Sequence, residues 1–310
     1  MPRYIMHRLS EGVVTIWMVT LVVFALLRLT GNPVDFLAPP DMPWSDRAYL
    51  RQAYGLDEPL WKQYLLFNRS IFTGDFGKSL RGTQGAALDV LLERVPATIQ
   101  LTATALLFSM IVGVVAGVVS AARPGSIYDR IGTIIAIAGQ SMPVFWVGLL
   151  LILVFTVFLG WLPSAGGVDR LGLQGLIMPS ISLGWLLVAS HMRMVRSSLL
   201  DVLASDYIKM AHVKGLPWRL VLWKHALKNA AIPVCTLFAV NFAHLVSGAV
   251  VTETIFAWPG IGRLLVESIL ARDYAVVQTV VFFAAMVIVV VNILVDLLYA
   301  WLDPRIRLAA

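Results

Sequence analysis

Residues with chemical potential are few and scattered. Gly77-Lys78-Ser79 has the tail of a phosphate-binding loop, but Phe72 stands where that motif needs its first glycine. No strand–turn–helix pattern surrounds it, so this chain is not expected to bind nucleotide. The histidines are dispersed, and the single cysteine, Cys235, lies in an apolar run. Neither pattern makes a metal site, and Cys235 reads as a buried packing residue with no intrachain disulfide open to it. No Ser/His/Asp order points to a nucleophile, so no catalytic residue is assigned. What remains is polarity inside apolar runs. Gln140 and Ser141 sit beside Pro143; Asn241, His244 and Ser247 recur every three residues and share one helical face. Such a stripe lines a water-filled path or hydrogen-bonds a neighbouring helix, the second use being commoner. Asp296 sits deep enough in an apolar run to require a basic partner, and His191 reads as an interface residue.

The long polar-and-basic stretch 197–233 is the other chemical feature of the second half. Ser205 suits an N-cap, and Asp206 adds negative charge to a first helical turn. Lys214 falls in the last turn, Gly215 where a helix-ending glycine belongs, and Pro217 at the start of a second helix. Ala211 and Gly215, four apart, would present a bare patch to a partner. Lys209, Arg219, Lys224 and Lys228 mark the loop as cytoplasmic. Two readings are open: a basic loop lying on lipid headgroups, or a docking helix for a soluble protein.

Composition decides what carries these groups. Hydrophobic residues make up 59% of the chain and charged residues 14%, against about a quarter charged in soluble domains. The chain is therefore an integral membrane protein. Its net charge of +6 does not indicate nucleic acid, because the bases cluster in short loops beside apolar runs.

Six spans are predicted, at about 9–29, 97–122, 131–159, 173–194, 232–252 and 275–301. The third is expected to be one tilted helix kinked at Pro143. The first follows Arg3, His7 and Arg8 but has no small-x-small cleavage site after it, so it reads as a retained span with its N-terminus inside. Residues 31–95, with eight acids and seven bases, form a near-neutral external insertion; 253–274 form an external loop. With both termini inside, thirteen Lys and Arg fall on the inner side and four outside, apart from the long insertion. That asymmetry supports the orientation. No internal repeat favours an inverted-repeat secondary transporter.

Several ordered motifs carry a resemblance to a known family. Ala211-x-x-x-Gly215, followed by His225-Ala-Leu-Lys-Asn-Ala-Ala-Ile-Pro233, resembles the EAA loop of bacterial ABC-importer permeases. Asp206-Tyr-Ile-Lys-Met-Ala-x-x-Lys-Gly-Leu-Pro217 is most similar to the dipeptide/oligopeptide/nickel branch, B-type subunit, with Lys209 at the motif's Glu and Met210 at the following Ala. Gly31-Asn-Pro-Val34, Leu56-Asp-Glu-Pro-Leu-x-x-Gln-Tyr64 and Gly74-Asp-Phe-Gly-Lys-Ser79 resemble that branch's first periplasmic region. Glu253-x-x-Phe256-Ala-Trp258-Pro259-Gly260-Ile-Gly262 resembles its outer-loop signature.

The resemblance implies an all-α integral membrane fold of the type I ABC-importer permease kind. It divides the chain into a first transmembrane helix (1–30), a periplasmic insertion (31–95) and a five-helix core (96–310) with the coupling loop at 197–231. It implies that Asp206, Lys209, Met210, Ala211, Lys214, Gly215, Leu216 and Pro217 engage an ATPase. The outer-loop residues Glu253, Phe256, Trp258, Pro259, Gly260 and Gly262 would form a receptor-docking scoop; a tight turn with an interfacial Trp anchor is the plainer reading. Implied partners are a homologous second permease, two cytosolic ATP-binding subunits, a periplasmic or lipid-anchored solute-binding protein and the bilayer. No cofactor binds this chain on that view, ATP and Mg being held by the ATPases. Peptides are the implied cargo, with nickel chelates, glutathione, opine- or sugar-like solutes as alternatives. An ion-coupled secondary transporter is the alternative from a different class.

Overall fold

The structure is a computed structural model that describes residues 2–29, 31, 34, 42–53, 55–79, 85–167 and 171–302. Within these, the side chains of 2–5, 53, 212, 232, 239, 243, 244, 246–248 and 295–302 are not described. Asp296 and the basic tail 303–307 thus lie outside the described side chains. The described residues are helical, apart from connections and one isolated bridge between Lys78 and Ala86. They fall into two compact units, Met1–Thr98 with Pro259–Ala310, and Ile99–Trp258.

In the first unit, α1 (Pro2–Leu29) packs along α12 (Tyr274–Leu302). The two helices come close at Gly12, where an added Cβ would lie 2.6 Å from Val289 Cγ1. Tyr274 Oη reaches the carbonyls of Leu27 (2.6 Å) and Gly31, which have no helical partner at the end of α1. The insertion is ordered in part as α2 (Trp44–Ala53) and α3 (Leu60–Thr73), the latter ended by Gly74 in the left-handed region. The expected external loop 253–274 is largely helix. It contains α11 (Ile261–Leu270), whose Ile261 and Leu264 pack with Ala87, Val90, Leu91, Val276 and Val280. The density of Gly, Pro and Trp hid this amphipathic segment. Ser79 of the phosphate-loop look-alike donates to the buried Asp273 at 2.5 Å, a structural use of that hydroxyl.

The second unit holds most of α4 (Ala87–Ala122), then α5 (Ile127–Ser141), α6 (Val144–Leu151) with a π-helical continuation Ile152–Phe158, and α7 (Gln174–Leu203). After α7 come α8 (Asp206–Val213), a turn Trp218–Leu220, a π-helix Val221–Ala226, α9 (Leu227–Gly248) and α10 (Val250–Ile255).

Among the described residues, four stretches are long and apolar enough to cross a membrane, Met6–Leu29, Ala87–Ala122, Gln174–Leu203 and Tyr274–Leu294, and the bent pair Ile127–Ser141 with Val144–Phe158 makes a fifth if it is one span. The predicted third span is corrected. It is two helices bent by 103° rather than one kinked helix. Pro143 forces Met142 out of the helical region (φ −88°, ψ 126°) and is itself extended (φ −61°, ψ 139°). Two successive extended residues break a helix where one proline inside it would only kink it. The predicted fifth span is helical, but its shorter part Pro233–Phe242 is the stretch that counts as apolar helix.

Candidate functional site

The basic stretch folds as predicted, in two helical pieces around a turn. Ser205 links α7 to α8: its Oγ donates to Val202 O and its carbonyl accepts from Lys209 N (3.2 Å). Gly215 has φ +74°, and Leu216 N donates to Ala211 O at 3.3 Å, the long bond that closes a helix when the following residue turns left-handed. Pro217 precedes the next turn rather than opening it; its carbonyl accepts from Leu220 N and Val221 N.

One side of α8 is fixed to the body of the unit. Ile208 and Ala211 are buried with Val195, Leu199, Val221, Leu222 and Ala226, and Leu216 packs against that cluster. Asn229 Nδ2 donates to Tyr207 Oη at 2.7 Å, tying α8 to the start of α9. The opposite side is open. Met210 is 55% exposed and Val213 83%, alongside Asp206, Lys209, Lys214 and Gly215. Lys209 Nζ pairs with Asp206 at 2.8 Å on this exposed face. The bare patch expected from Ala211 and Gly215 is therefore corrected: Ala211 points inward, and Gly215 alone is open, with nothing within 4 Å of a Cβ placed there. The open face combines apolar side chains with a charged rim, a composition suited to a protein surface.

Two features that the sequence reading passed over hold α7, the helix from which α8 hangs. The first is a charge clamp. Asp129 accepts from Arg196 Nε (2.8 Å) and Nη2 (2.9 Å), from Gly125 N (2.9 Å) and from Ser120 Oγ. Ser126 caps α5 by accepting from Asp129 N, so the Ser126-x-x-Asp129 spacing was the available signal. The second is a row of glycine notches. A Cβ on Gly113 would lie 2.6 Å from His191 Cβ, one on Gly117 2.8 Å from Met192 O, and one on Gly184 2.4 Å from Ala105 O. Gly113-x-x-x-Gly117 in an apolar run is a motif for close helix contact, legible in the sequence.

The comparisons with known proteins bear on this arrangement. Residues 113–308 match the family described as "Binding-protein-dependent transport system inner membrane component". That stretch contains the whole α7–α8–α9 arrangement. The chain belongs to that family. This inner membrane component is 39% identical to the dipeptide transport system permease protein DppB of Alkalihalophilus pseudofirmus, over 99% of this chain and all of the relative. It is equally close to the di/tripeptide transport system permease protein DppB of Pseudomonas aeruginosa, covering 99% of both chains. It is 38% identical to the glutathione transport system permease protein GsiC of Escherichia coli K12, again over 99% of both. The fold also resembles a chain of the inward-facing MetNI methionine ABC transporter, with TM-score 0.56, 19% identity, and coverage of 69% of this chain and 96% of that one.

The polar residues expected along a path in this inner membrane component are only partly brought together. Asn241 Nδ2 lies 3.2 Å from His191 Nε2, so its amide serves a helix–helix contact. His191 is fully buried beside Phe238, not an interface residue as predicted. The side chains of His244 and Ser247 lie outside the described residues. Gln140 and Ser141 are exposed at the end of α5, where Ser141 Oγ donates back to Ile137 O. Cys235 is exposed, contrary to the packing role expected of it.

The outer-loop motif is mostly core. Glu253, Phe256 and Trp258 are at most 1% exposed, and Gly260 and Gly262 are buried. Trp258 N donates to Glu253 O at 2.8 Å across Ala257, whose φ of +48° makes the reversal. Phe256 lies within 3.1 Å of a Cβ placed on Gly148, and its carbonyl accepts from Gly166 N. Pro259 is half-buried. These side chains are placed to fix the turn; Trp258 is not an interfacial anchor.

Proposed function

We propose that this chain is one of two homologous permease subunits of an ATP-driven importer that carries peptides across the bacterial inner membrane. Six crossings with both termini cytoplasmic is the topology this reading uses, with the bent pair α5–α6 as one crossing and α9 as another. Residues 1–30 form the first crossing, 31–95 the periplasmic insertion and 96–310 the core. Family membership and the names of full-length relatives support the importer and its peptide cargo. Glutathione, itself a tripeptide, is the second cargo these relatives favour.

The observation that carries the mechanism is the two-sided burial of α8. A helix anchored by Ile208 and Ala211, yet open at Met210, Val213 and Gly215, is fit to be gripped by another protein. In this reading Asp206, Lys209, Met210, Lys214, Gly215, Leu216 and Pro217 form the surface or turn that meets a cytosolic ATPase, and Ala211 holds that surface to the core. ATP and Mg belong to the two ATPases, and a solute-binding protein delivers cargo from outside. Closing of the ATPases moves α8, and the Asp129–Arg196 clamp and glycine notches carry that movement into α4, α5 and α7. Loaded receptor and nucleotide thus bias one two-state element from opposite ends.

The test separates the two sides of α8. Val213→Glu should leave folding within about 0.5 kcal/mol, as exposed substitutions do, while abolishing uptake and crosslinking of α8 to the ATPase. Ile208→Glu should instead prevent stable insertion. Normal uptake by an inserted Val213→Glu protein, or crosslinks from α8 to lipid only, would overturn the docking role.

A further inference from the structure

The first unit contains a cleft that the transport reading does not use. Two adjoining cavities, about 390 and 740 Å³, share Arg28, Leu56 and Gln63 in their walls. The smaller is polar at one end, with Ser70, Asp75 and Lys78. The larger is apolar, running along Leu21, Phe24 and Ala25 of α1 and Trp61 of α3.

Its polar groups are poised for a ligand. The Arg28 guanidinium lies over the rings of Phe24 (5.1 Å) and Tyr274 (5.2 Å), and its buried Nε has no hydrogen-bond partner among the described residues. Gln63 is 8% exposed; its Nε2 donates to the carbonyls of Leu56 (3.1 Å) and Glu58 (2.6 Å), while its buried Oε1 has no partner among the described residues. A buried group left without a partner costs free energy. Asp75 has one oxygen on Gly77 N. The cleft thus pairs cations, Arg28 and Lys78, with acceptors, Gln63 Oε1 and Asp75.

Its surroundings are those of a bilayer boundary. Arg28 ends the apolar helix Met6–Leu29. Beside it, α3 leaves Trp61, Leu65 and Phe72 exposed, 88% in the last case, as an interfacial helix does. A ligand filling both cavities needs an apolar tail, an anion and a nearby hydrogen-bond donor.

We propose that this cleft binds a phospholipid whose headgroup carries an ammonium beside its phosphate, phosphatidylethanolamine being the match. The phosphate meets Arg28 and Lys78, the ammonium meets Gln63 Oε1 and Asp75, and an acyl chain lies along Phe24 and Trp61. The lipid would secure the insertion to the end of α1.

The test is native mass spectrometry of the purified full-length chain after exchange into phosphatidylethanolamine or phosphatidylcholine with identical acyl chains. The choline headgroup keeps phosphate and tails but has no donor. Retention of one phosphatidylethanolamine per chain, at least about tenfold over phosphatidylcholine, is expected, since charge-assisted hydrogen bonds to Gln63 Oε1 and Asp75 are at stake. This comparison needs no variant. Arg28→Gln and Gln63→Leu proteins that melt like the parent should each lose about tenfold in retention. Equal retention of the two lipids overturns the proposal. So does displacement by free phosphoethanolamine, which would make it a headgroup site without a tail, or by a dipeptide, which would make it a peptide site.

Discussion

Asp129→Asn keeps the shape of the clamp and removes its charge. The Asp129 side chain is 7% exposed and that of Arg196 34%. Removing one partner from a fully buried ion pair costs about 3–5 kcal/mol, whereas exposed pairs contribute about 0–1 kcal/mol. With the carboxylate enclosed and the guanidinium one-third open to solvent, the loss should be about 2–3 kcal/mol. At about 2–4 °C per kcal/mol, the value for chains of about 150–250 residues, Tm should fall by about 4–12 °C. Thermal unfolding of the purified protein in detergent, followed by tryptophan fluorescence, reads this directly. Arg196→Gln should cost a similar amount, and the double variant little more than either single change, giving an interaction energy of at least about 1 kcal/mol. Strict additivity, or an Asp129→Asn protein that melts within about 1 °C of the parent, would refute the clamp as a coupled unit.

Gly184→Ala should destabilise by about 1–3 kcal/mol, because its Cβ would meet the Ala105 backbone carbonyl at 2.4 Å rather than a side chain able to move; thermal unfolding tests it. Gly215→Asn should fold nearly as the parent does, because asparagine tolerates the left-handed region, while Gly215→Val should lose about 1–2 kcal/mol of local stability and lose uptake, because a β-branched residue resists φ +74°. Hydrogen exchange of α8 together with an uptake assay checks that pair. Asn241→Leu should cost about 0.6–1.7 kcal/mol, the range for hydrogen bonds between membrane helices; no loss of Tm would leave the His191 contact without structural weight. Trp258→Ala should lose about 3–5 kcal/mol and fail in assembly; normal assembly with weakened receptor binding would instead assign that loop to receptor docking.

The long helices were legible because bilayer-length apolar runs have few other uses. The α8 turn was legible because Gly215 and Pro217 act on their own neighbours in sequence. Contacts that join distant residues were not legible. Ser79 meets Asp273 across 194 positions, and Arg196 meets Asp129 across 67; nothing in either local stretch names its partner. Burial misled in both directions. Trp258 and Glu253 sit in a Gly- and Pro-rich segment that reads as an exposed turn, yet they are core, while Cys235 sits in an apolar run and is exposed. At Pro143, proline chemistry was recognised but its severity was not, because the extended backbone of Met142 adds to that of the proline itself.

The glycine notches restrict how α4 and α7 can travel. Advancing one helix past the other by a single residue, about 1.5 Å, would carry a side chain into a slot that barely admits a hydrogen atom. Sliding is therefore jammed, and any displacement of α4 or α7 must swing the two helices together as one stiff plank.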